Sequence, residues 1–449
     1  MKAIDFARKD KIRNEHFDLV LELGSSPWFA QHQPPQGYFS PGADAVAQAA
    51  AVAELSTFTG EFEKPKYFNY KPSICAHSRS RKTGCTQCID VCSALAIRSD
   101  GDRIAVEPHL CMGCGACTTV CPSGALTYAY PTVADLGAKV KTLLGTYAKA
   151  GGRDAMLVLH AEDGREAIAR YARRGKGLPA RAIPVEVHHI ASVGIDLWLA
   201  ALAWGASQVG VLVTGKEAPQ YRSAIEFQMR IADTIAQALG YQGEHFRVIE
   251  SAALDDGLWQ WPAALGPRIN ASFAPTSEKR TTASLAIEHL AQHAPVPQTI
   301  IPLPSGSPFG AIAINRDTCT MCLACVGSCP EAAILDNIDV PQVRFIESKC
   351  VQCGICASTC PEHAITLSPR MDLTPAAKAP RVLNEAAIFK CTACGKPLGT
   401  QQMIDSMLTR LAGHSMFAAP GSLDRLKMCA DCRVVDLIKN EQSVDIRTL

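Results

Sequence analysis

The sequence has almost no net charge, no long apolar run and, across its middle, no cysteine. Lysine plus arginine number 44 against 43 for aspartate plus glutamate, a formal charge of +1. So balanced a chain has no general attraction for nucleic acid or an acidic membrane, and any partner must be recognised locally. The longest uncharged apolar stretch, Leu197 to Val213, is interrupted by Gly205-Ala206-Ser207-Gln208. It reads as a helix, a turn and a buried strand, short of the roughly 20 residues that a membrane helix needs. Behind the charges of Met1-Lys2-Ala3-Ile4-Asp5-Phe6-Ala7-Arg8-Lys9-Asp10 there is no apolar segment of a secretory signal, so none is expected. No dinucleotide or nucleoside triphosphate site, hydrolase elbow or H-E-x-x-H helix is expected either.

What is present is 20 cysteines in clusters, with none between positions 122 and 318. A secreted disulfide scaffold spreads its cysteines through a short chain, whereas dense clusters in a chain of 449 residues point to metal in a reducing, cytoplasmic compartment. The clusters repeat. Cys111, Cys114, Cys117 and Cys121 recur at a constant offset as Cys350, Cys353, Cys356 and Cys360, while Cys85, Cys88 and Cys92 recur at a slightly shorter offset as Cys322, Cys325 and Cys329. Each half-motif is followed by a short apolar tail, such as Ala94-Leu95-Ala96-Ile97 or Ala332-Ala333-Ile334, suited to a helical turn and a strand.

Cys319-x2-Cys322-x2-Cys325-x3-Cys329-Pro330, followed by Cys350-x2-Cys353-x2-Cys356-x3-Cys360-Pro361, resembles the bacterial two-cluster ferredoxins. Thiolates every third residue reach three corners of an iron cube, and in that family the fourth cysteine ligates the neighbouring cluster. The resemblance implies one 4Fe-4S cluster on Cys319, Cys322, Cys325 and Cys360, and a second on Cys350, Cys353, Cys356 and Cys329. In the first module Lys82 stands where a cysteine is needed, and Cys75 lies further upstream across a polar loop. The expected sets there are Cys75, Cys85, Cys88 and Cys121 for one 4Fe-4S cluster, and Cys111, Cys114, Cys117 and Cys92 for the other. A free Cys75 beside a three-iron cluster, or His77 as the substitute ligand, are the alternatives. Arg79, Arg81 and Lys82 sit in that loop with no acidic residue between Lys71 and Ile89, so it reads either as a solvated loop or as a landing site for an acidic partner at the cluster edge.

Cys391-x2-Cys394 and Cys429-x2-Cys432 look like the two knuckles of a zinc ribbon, four thiolates closing around one zinc ion, with mononuclear iron or a further iron–sulfur cluster as alternatives. Between the modules, strands at Met156–His160, Ile183–Val187, Gln208–Val213 and Phe246–Glu250 alternate with helices over 165–174, 195–204 and 218–239, which argues for a small parallel sheet. Ala203 to Gly215 is similar to a stretch in the delta subunit of methyl-viologen-reducing hydrogenases, but Lys216 follows where that family has a cysteine. His188-His189 ends a buried strand and reads as a structural pair, with a functional pair as the alternative.

The expected fold is a multidomain α+β protein in which two bacterial-type dicluster ferredoxin modules flank a small parallel α/β domain, with a zinc-ribbon-like tail. The expected parts are an N-terminal arm (1–70), module 1 (71–132), the α/β domain (133–250), a connector (251–310), module 2 (311–370) and the C-terminal domain (380–449). The overall arrangement, including Ile74-Cys75-Ala76-His77-Ser78-Arg79, resembles bacterial ferredoxin-type proteins found with molybdenum-dependent formate dehydrogenases. That implies a carrier of single electrons through four 4Fe-4S clusters, with such a dehydrogenase as the first redox partner to expect. The alternatives are an electron-input subunit of an oxidoreductase whose α/β domain binds a flavin or substrate, and a cluster-bearing assembly factor.

Overall fold

Two compact units, residues 1–305 and 306–449, make up the chain. The computed structural model describes residues 4–5, 16–29, 32–60, 63–419 and 421–439. In the first unit the arm is held by Tyr38, which is buried, packs edge-on against Phe29 and donates its hydroxyl proton to Glu22. Helix α1 (Ala45–Leu55), capped by Asp44, buries only Ala51. The end of the arm belongs to module 1: strand Phe68–Tyr70 pairs antiparallel with Leu126–Tyr128. Inside that frame lie helix α2 (Gln87–Asp90), the hairpin Ile97–Asp100/Arg103–Val106 and helix α3 (Ala116–Val120).

Helix α4 (Val133–Lys149), whose Thr132 cap exchanges hydrogen bonds with Asp135, leads into the α/β domain. Its strands are Ala155–His160, Ala182–Glu186, Ala206–Val213 and Phe246–Glu250, all parallel. The spatial order places Ala182–Glu186 first, then Ala155–His160, Ala206–Val213 and Phe246–Glu250. Strand order could not be read from the sequence, but the chemistry agrees with it. The two inner strands are buried along their whole length and read as continuous apolar runs, and Pro184 lies on the edge strand where a missing N–H is tolerated.

Helix α5 (Glu162–Arg174) carries acidic residues in its first turn and arginines in its last, matching its dipole. Helix α6 (Ile195–Ala203) is buried at every position, as an all-round apolar helix must be. Helix α7 (Pro219–Ala238) buries one face on the sheet side. The stretch expected as a connector differs from that reading. Leu258 and Trp261 are buried against the sheet, and helix α8 (Lys279–Gln292) lies along α6 with Ala283, Ala286, Ile287 and Leu290 buried. Its sequence is rich in small residues because it packs closely, and small residues also make linkers, so composition does not separate the two.

The second unit repeats the module. Strand Gly310–Ile314 pairs antiparallel with Ile365–Asp372, and Ile334–Leu335 with Gln342–Phe345. Helices α9 (Ala324–Ser328) and α10 (Ile355–Thr359) take the places of α2 and α3. Strand Arg381–Glu385 extends the inner pair, and buried Glu347 accepts both hydrogen bonds of Arg370, each 2.7 Å, with Arg381 alongside at 3.3 Å. The tail holds the hairpin Ile388–Lys390/Pro397–Thr400 and helices α11 (Gln401–Leu411) and α12 (Ala430–Lys439). No helix among the described residues is long and apolar enough to cross a membrane.

The place of α8 is testable. Leu290→Ala removes a fully buried side chain and is expected to destabilise the first unit by about 2–5 kcal/mol, read as a lower urea midpoint of tryptophan fluorescence. A change within about 0.5 kcal/mol, usual for an exposed position, would return this stretch to a connector.

Candidate metal centres

The cysteine loops share one backbone pattern. In three of them the residues on both sides of the second cysteine are left-handed: Gly113 and Gly115 at φ 72° and 77°, Met321 and Leu323 at 58° and 60°, Gln352 and Gly354 at 52° and 79°. Alternating handedness turns successive N–H groups to one side and forms a concavity for an anionic group. The helix that follows carries the third cysteine, Cys117, Cys325 or Cys356, in its first turn. The fourth cysteine is extended, and the residue three further on is again left-handed: Leu95, Gly124, Ala332 and His363 at φ 51°, 73°, 48° and 48°. That turn aims a backbone N–H back at the sulfur. Ala96 N donates to Cys92 Sγ (3.3 Å), Leu126 N to Cys121 Sγ (3.5 Å), Ala333 N to Cys329 Sγ (3.3 Å) and Ala364 N to Cys360 Sγ (3.4 Å).

The cysteines come together in fours. Cys92, Cys111, Cys114 and Cys117 line a partly open hollow of about 440 Å³. Cys329, Cys350, Cys353 and Cys356 line one of about 360 Å³, and Cys319, Cys322, Cys325 and Cys360 one of about 350 Å³. Cys75, Cys88 and Cys121 pack in one apolar cluster with Ile97, Ile104 and Leu126. Cys85 joins them because its N–H bonds to Ala76 O at 2.9 Å. Burial pushes the Cys85 thiol up to about 11, with the charges of Cys121 and Cys75 adding to the shift. Burial likewise raises Cys325 to about 12, helped by Cys319, Cys322 and Cys360. Thiols so grouped ionise together only around a cationic core. Four convergent sulfurs and inward N–H groups fit an iron–sulfur cluster.

The irregular first site is built differently from the polar loop expected. Ser78–Arg79 pairs with Lys82–Thr83 as a hairpin whose tip, Ser80 and Arg81, is left-handed at φ 49° and 65°. Folding the insertion back on itself returns Cys85 to the level of Cys75. Asp102 clamps the tip, accepting from Ser78 Oγ (3.0 Å), Ser80 N (3.1 Å) and Arg81 N (3.3 Å). The basic loop therefore has an acidic partner from outside its own sequence window. His77 has both ring nitrogens engaged, Nδ1 with Cys85 O (3.0 Å) and Nε2 with Ser99 Oγ (2.8 Å), which speaks against its use as a ligand.

Sequence reasoning missed Tyr221. This residue of α7 packs against the loop of Cys114 and Cys117, and its hydroxyl bonds to Gln33 Oε1 (3.0 Å) and to Ser93 Oγ. No local signal distinguishes it from any other tyrosine on an amphipathic helix. The histidine pair is structural. His188 stacks on Tyr67 with centroids 5.4 Å apart, and His189 Nδ1 accepts from Ala191 N at 3.0 Å while burial lowers its pKa to about 4.

In the α/β domain, Gly210 to Lys216 has the glycine and lysine spacing of a phosphate loop, yet Gly210 lies within a strand. Glu217 follows the lysine, and its carboxylate takes the N–H groups of Thr214 (2.8 Å) and Gly215 (2.9 Å).

At the C-terminal end the ligand atoms of Cys391, Cys394, Cys429 and Cys432 all lie within 4.8 Å of one another. The first pair sits in the hairpin turn, where Gly395 N bonds to Cys391 O at 2.9 Å. The second pair flanks the start of α12 rather than a second hairpin, and Cys429 N donates to Cys391 Sγ at 3.2 Å. That N–H holds the Cys391 thiol down at about 6. Four sulfurs about 2.3 Å from one metal form a tetrahedron with edges of about 3.8 Å, and Cys394 and Cys429 are 3.7 Å apart. The group can chelate a metal and fits a closed zinc site.

Comparison with known proteins follows this geometry. Residues 81–125 and residues 311–361 each match a family described as a 4Fe-4S dicluster domain. A protein named "Ferredoxin 7Fe" from Hydrogenibacillus schlegelii is 38% identical over 39 residues, 9% of this chain and 50% of that protein. The chain thus spans about half the length of that curated relative. It carries two segments of the iron–sulfur dicluster type found in ferredoxins, which imply up to four 4Fe-4S sites.

Cys394→Ser is expected to remove one metal equivalent while leaving the iron–sulfur absorption of the purified protein unchanged. Elemental analysis beside the visible spectrum checks this, and a parallel loss of both would make the C-terminal group part of the iron–sulfur system.

Proposed function

We propose that the protein carries single electrons through four 4Fe-4S clusters between a redox enzyme and another carrier, and that a molybdenum-dependent formate dehydrogenase is the first partner to test. The convergence of twelve module cysteines in three sets of four, with Cys75, Cys88 and Cys121 packed together and Cys85 influenced by Cys121 and Cys75, supports this reading. The ligand sets proposed are Cys75, Cys85, Cys88 and Cys121; Cys92, Cys111, Cys114 and Cys117; Cys319, Cys322, Cys325 and Cys360; and Cys329, Cys350, Cys353 and Cys356. When bound, such a cluster exchanges one electron at a time. The chain's own part is to bury the sulfurs, exclude water and supply N–H donors that stabilise the thiolates. Zinc is the metal proposed for Cys391, Cys394, Cys429 and Cys432.

The dense clustering of the cysteines in a long chain supports a reducing, cytoplasmic setting. The partner-facing edge proposed is the hairpin of module 1, where Arg81 and Lys82 are exposed beside the Cys85 set. A flavin on the α/β domain has less support, because Glu217 already occupies the N–H groups that a phosphate would use.

Metal analysis of anaerobically prepared protein tests the reading. About sixteen irons and one zinc per chain are expected, with electron paramagnetic resonance signals of reduced 4Fe-4S clusters. About twelve irons would remove one assigned cluster. Cys75→Ala is expected to lose about four irons, or to leave a three-iron signal, and an unchanged spectrum would strike Cys75 from its set. For the docking edge, a double Arg81→Glu, Lys82→Glu variant should slow reduction by an acidic donor at low salt by about tenfold, with the difference fading at high salt.

A further inference from the structure

Lys279 opens α8, yet its side chain serves module 1. It is buried, and its Nζ donates to Thr118 O and Thr119 O, both at 2.8 Å. Those carbonyls lie at the end of α3, the helix that carries Cys117 and hands the chain on to Cys121. Cys117 belongs to one proposed ligand set of the module and Cys121 to the other, so the ammonium addresses both where the chain links them. Next to it, Arg280 Nη1 donates to Pro122 O at 3.1 Å. Asp196, buried in the first turn of α6, lines the same partly open hollow as Lys279, Thr118 and Thr119. Burial pulls the Lys279 ammonium below its ordinary pKa, and Asp196, Cys121 and Cys117 pull it back. Burial likewise raises the Asp196 carboxyl, and Lys279 opposes that. The ammonium is thus placed by its hydrogen bonds on the segment between the two cysteines, and Asp196 is the opposite charge that it feels.

A buried ammonium is a costly way to finish a five-residue helix. Water or a shorter polar side chain would satisfy two carbonyls without bringing a charge. The charge has a use where an added electron makes the surroundings more negative, because a fixed cation nearby then stabilises the reduced state more than the oxidised one.

Resting on the reading that module 1 holds 4Fe-4S clusters, we propose that Lys279 is a positioning residue for charge: a fixed cation that raises the reduction potential of both clusters of module 1, with Asp196 as the counter-charge that moderates it. The α/β domain then sets the potential of the module it supports, although it contributes no ligand.

The test is a redox titration of the full-length, anaerobically prepared protein, followed by electron paramagnetic resonance with iron content measured on each sample. Lys279→Met should lower the module 1 midpoints and Asp196→Asn should raise them, each by about tenfold in the one-electron equilibrium, about 59 mV. Lys279→Arg should stay near the wild type, and the module 2 midpoints should not move in any of the three. Opposite shifts from two neighbouring variants are a signature that a purely structural lysine does not give. Full iron with unmoved midpoints in Lys279→Met overturns the proposal. If that variant loses iron, Asp196→Asn decides, and full iron without an upward shift overturns it equally. Should the wild type itself lack the module 1 iron, the proposed function fails, and the iron analysis alone shows that.

Discussion

Four sulfurs converging in an apolar hollow repel one another once ionised, and both ferredoxin modules are arranged around that constraint. The chain meets it with backbone. Each complete loop holds two left-handed residues around its second cysteine, and a further one follows each fourth cysteine. Where these are glycines the conformation costs little, but Met321, Leu323, Gln352, Leu95, Ala332 and His363 adopt it as well. Roughly 1–2 kcal/mol of strain per such residue is tolerable only if something at the centre repays it. Donors and sulfurs that converge on a bound cluster explain why the strained turns recur at matching positions in both modules.

This also explains what was legible in the sequence. Ligand spacing is a local property, because neighbouring ligands lie within one loop and the loop conformation follows from their separation. The C-x2-C-x2-C-x3-C pattern therefore pointed to the loops, while the exchange of the fourth cysteine between them came from the resemblance to two-cluster ferredoxins. The parallel strands were legible for a similar reason: Ala155–His160 and Ala206–Val213 are buried on both faces and carry no polar alternation to confuse them with loops. Legibility stopped where a contact joined distant segments. Asp102 on the basic hairpin, Tyr221 beside Cys114 and Lys279 beneath α3 each lie outside the window that would suggest them. The packing of α8 within the expected connector was hidden for the same reason, since its partner is α6, far away in sequence.

Two copies of one motif are stabilised by different means. Module 2 is braced by sequence that follows it directly: Arg381–Glu385 extends its inner strand pair, and the Glu347 carboxylate ties Arg370 to Arg381 beneath it. Module 1 has no such extension and leans on the α/β domain. Gly115 shows how closely. A Cβ there would come within 2.6 Å of the Ser192 Cβ, so glycine is required both for its φ of 77° and for the approach of the α/β domain.

That difference bears on why the irregular ligand set is in module 1. A small module buries little apolar surface and depends on its metal, on neighbours, or on both. With Lys82 where the repeat has a cysteine, a ligand set that includes Cys75 would need a longer loop, closed through a hairpin, to be ordered before the four sulfurs meet. An isolated module would have to recover that entropy from cluster binding alone. Here α7 and α8 press on α3 and the loop before it through Tyr221, Lys279 and Arg280, and hold Cys117 and Cys121 in place independently of the first loop. With the segment from Cys117 to Cys121 positioned from outside, the first loop has more freedom to vary. The α/β domain therefore acts as a scaffold for the less regular module, and the same side chains that provide the support bring the buried charge into its vicinity.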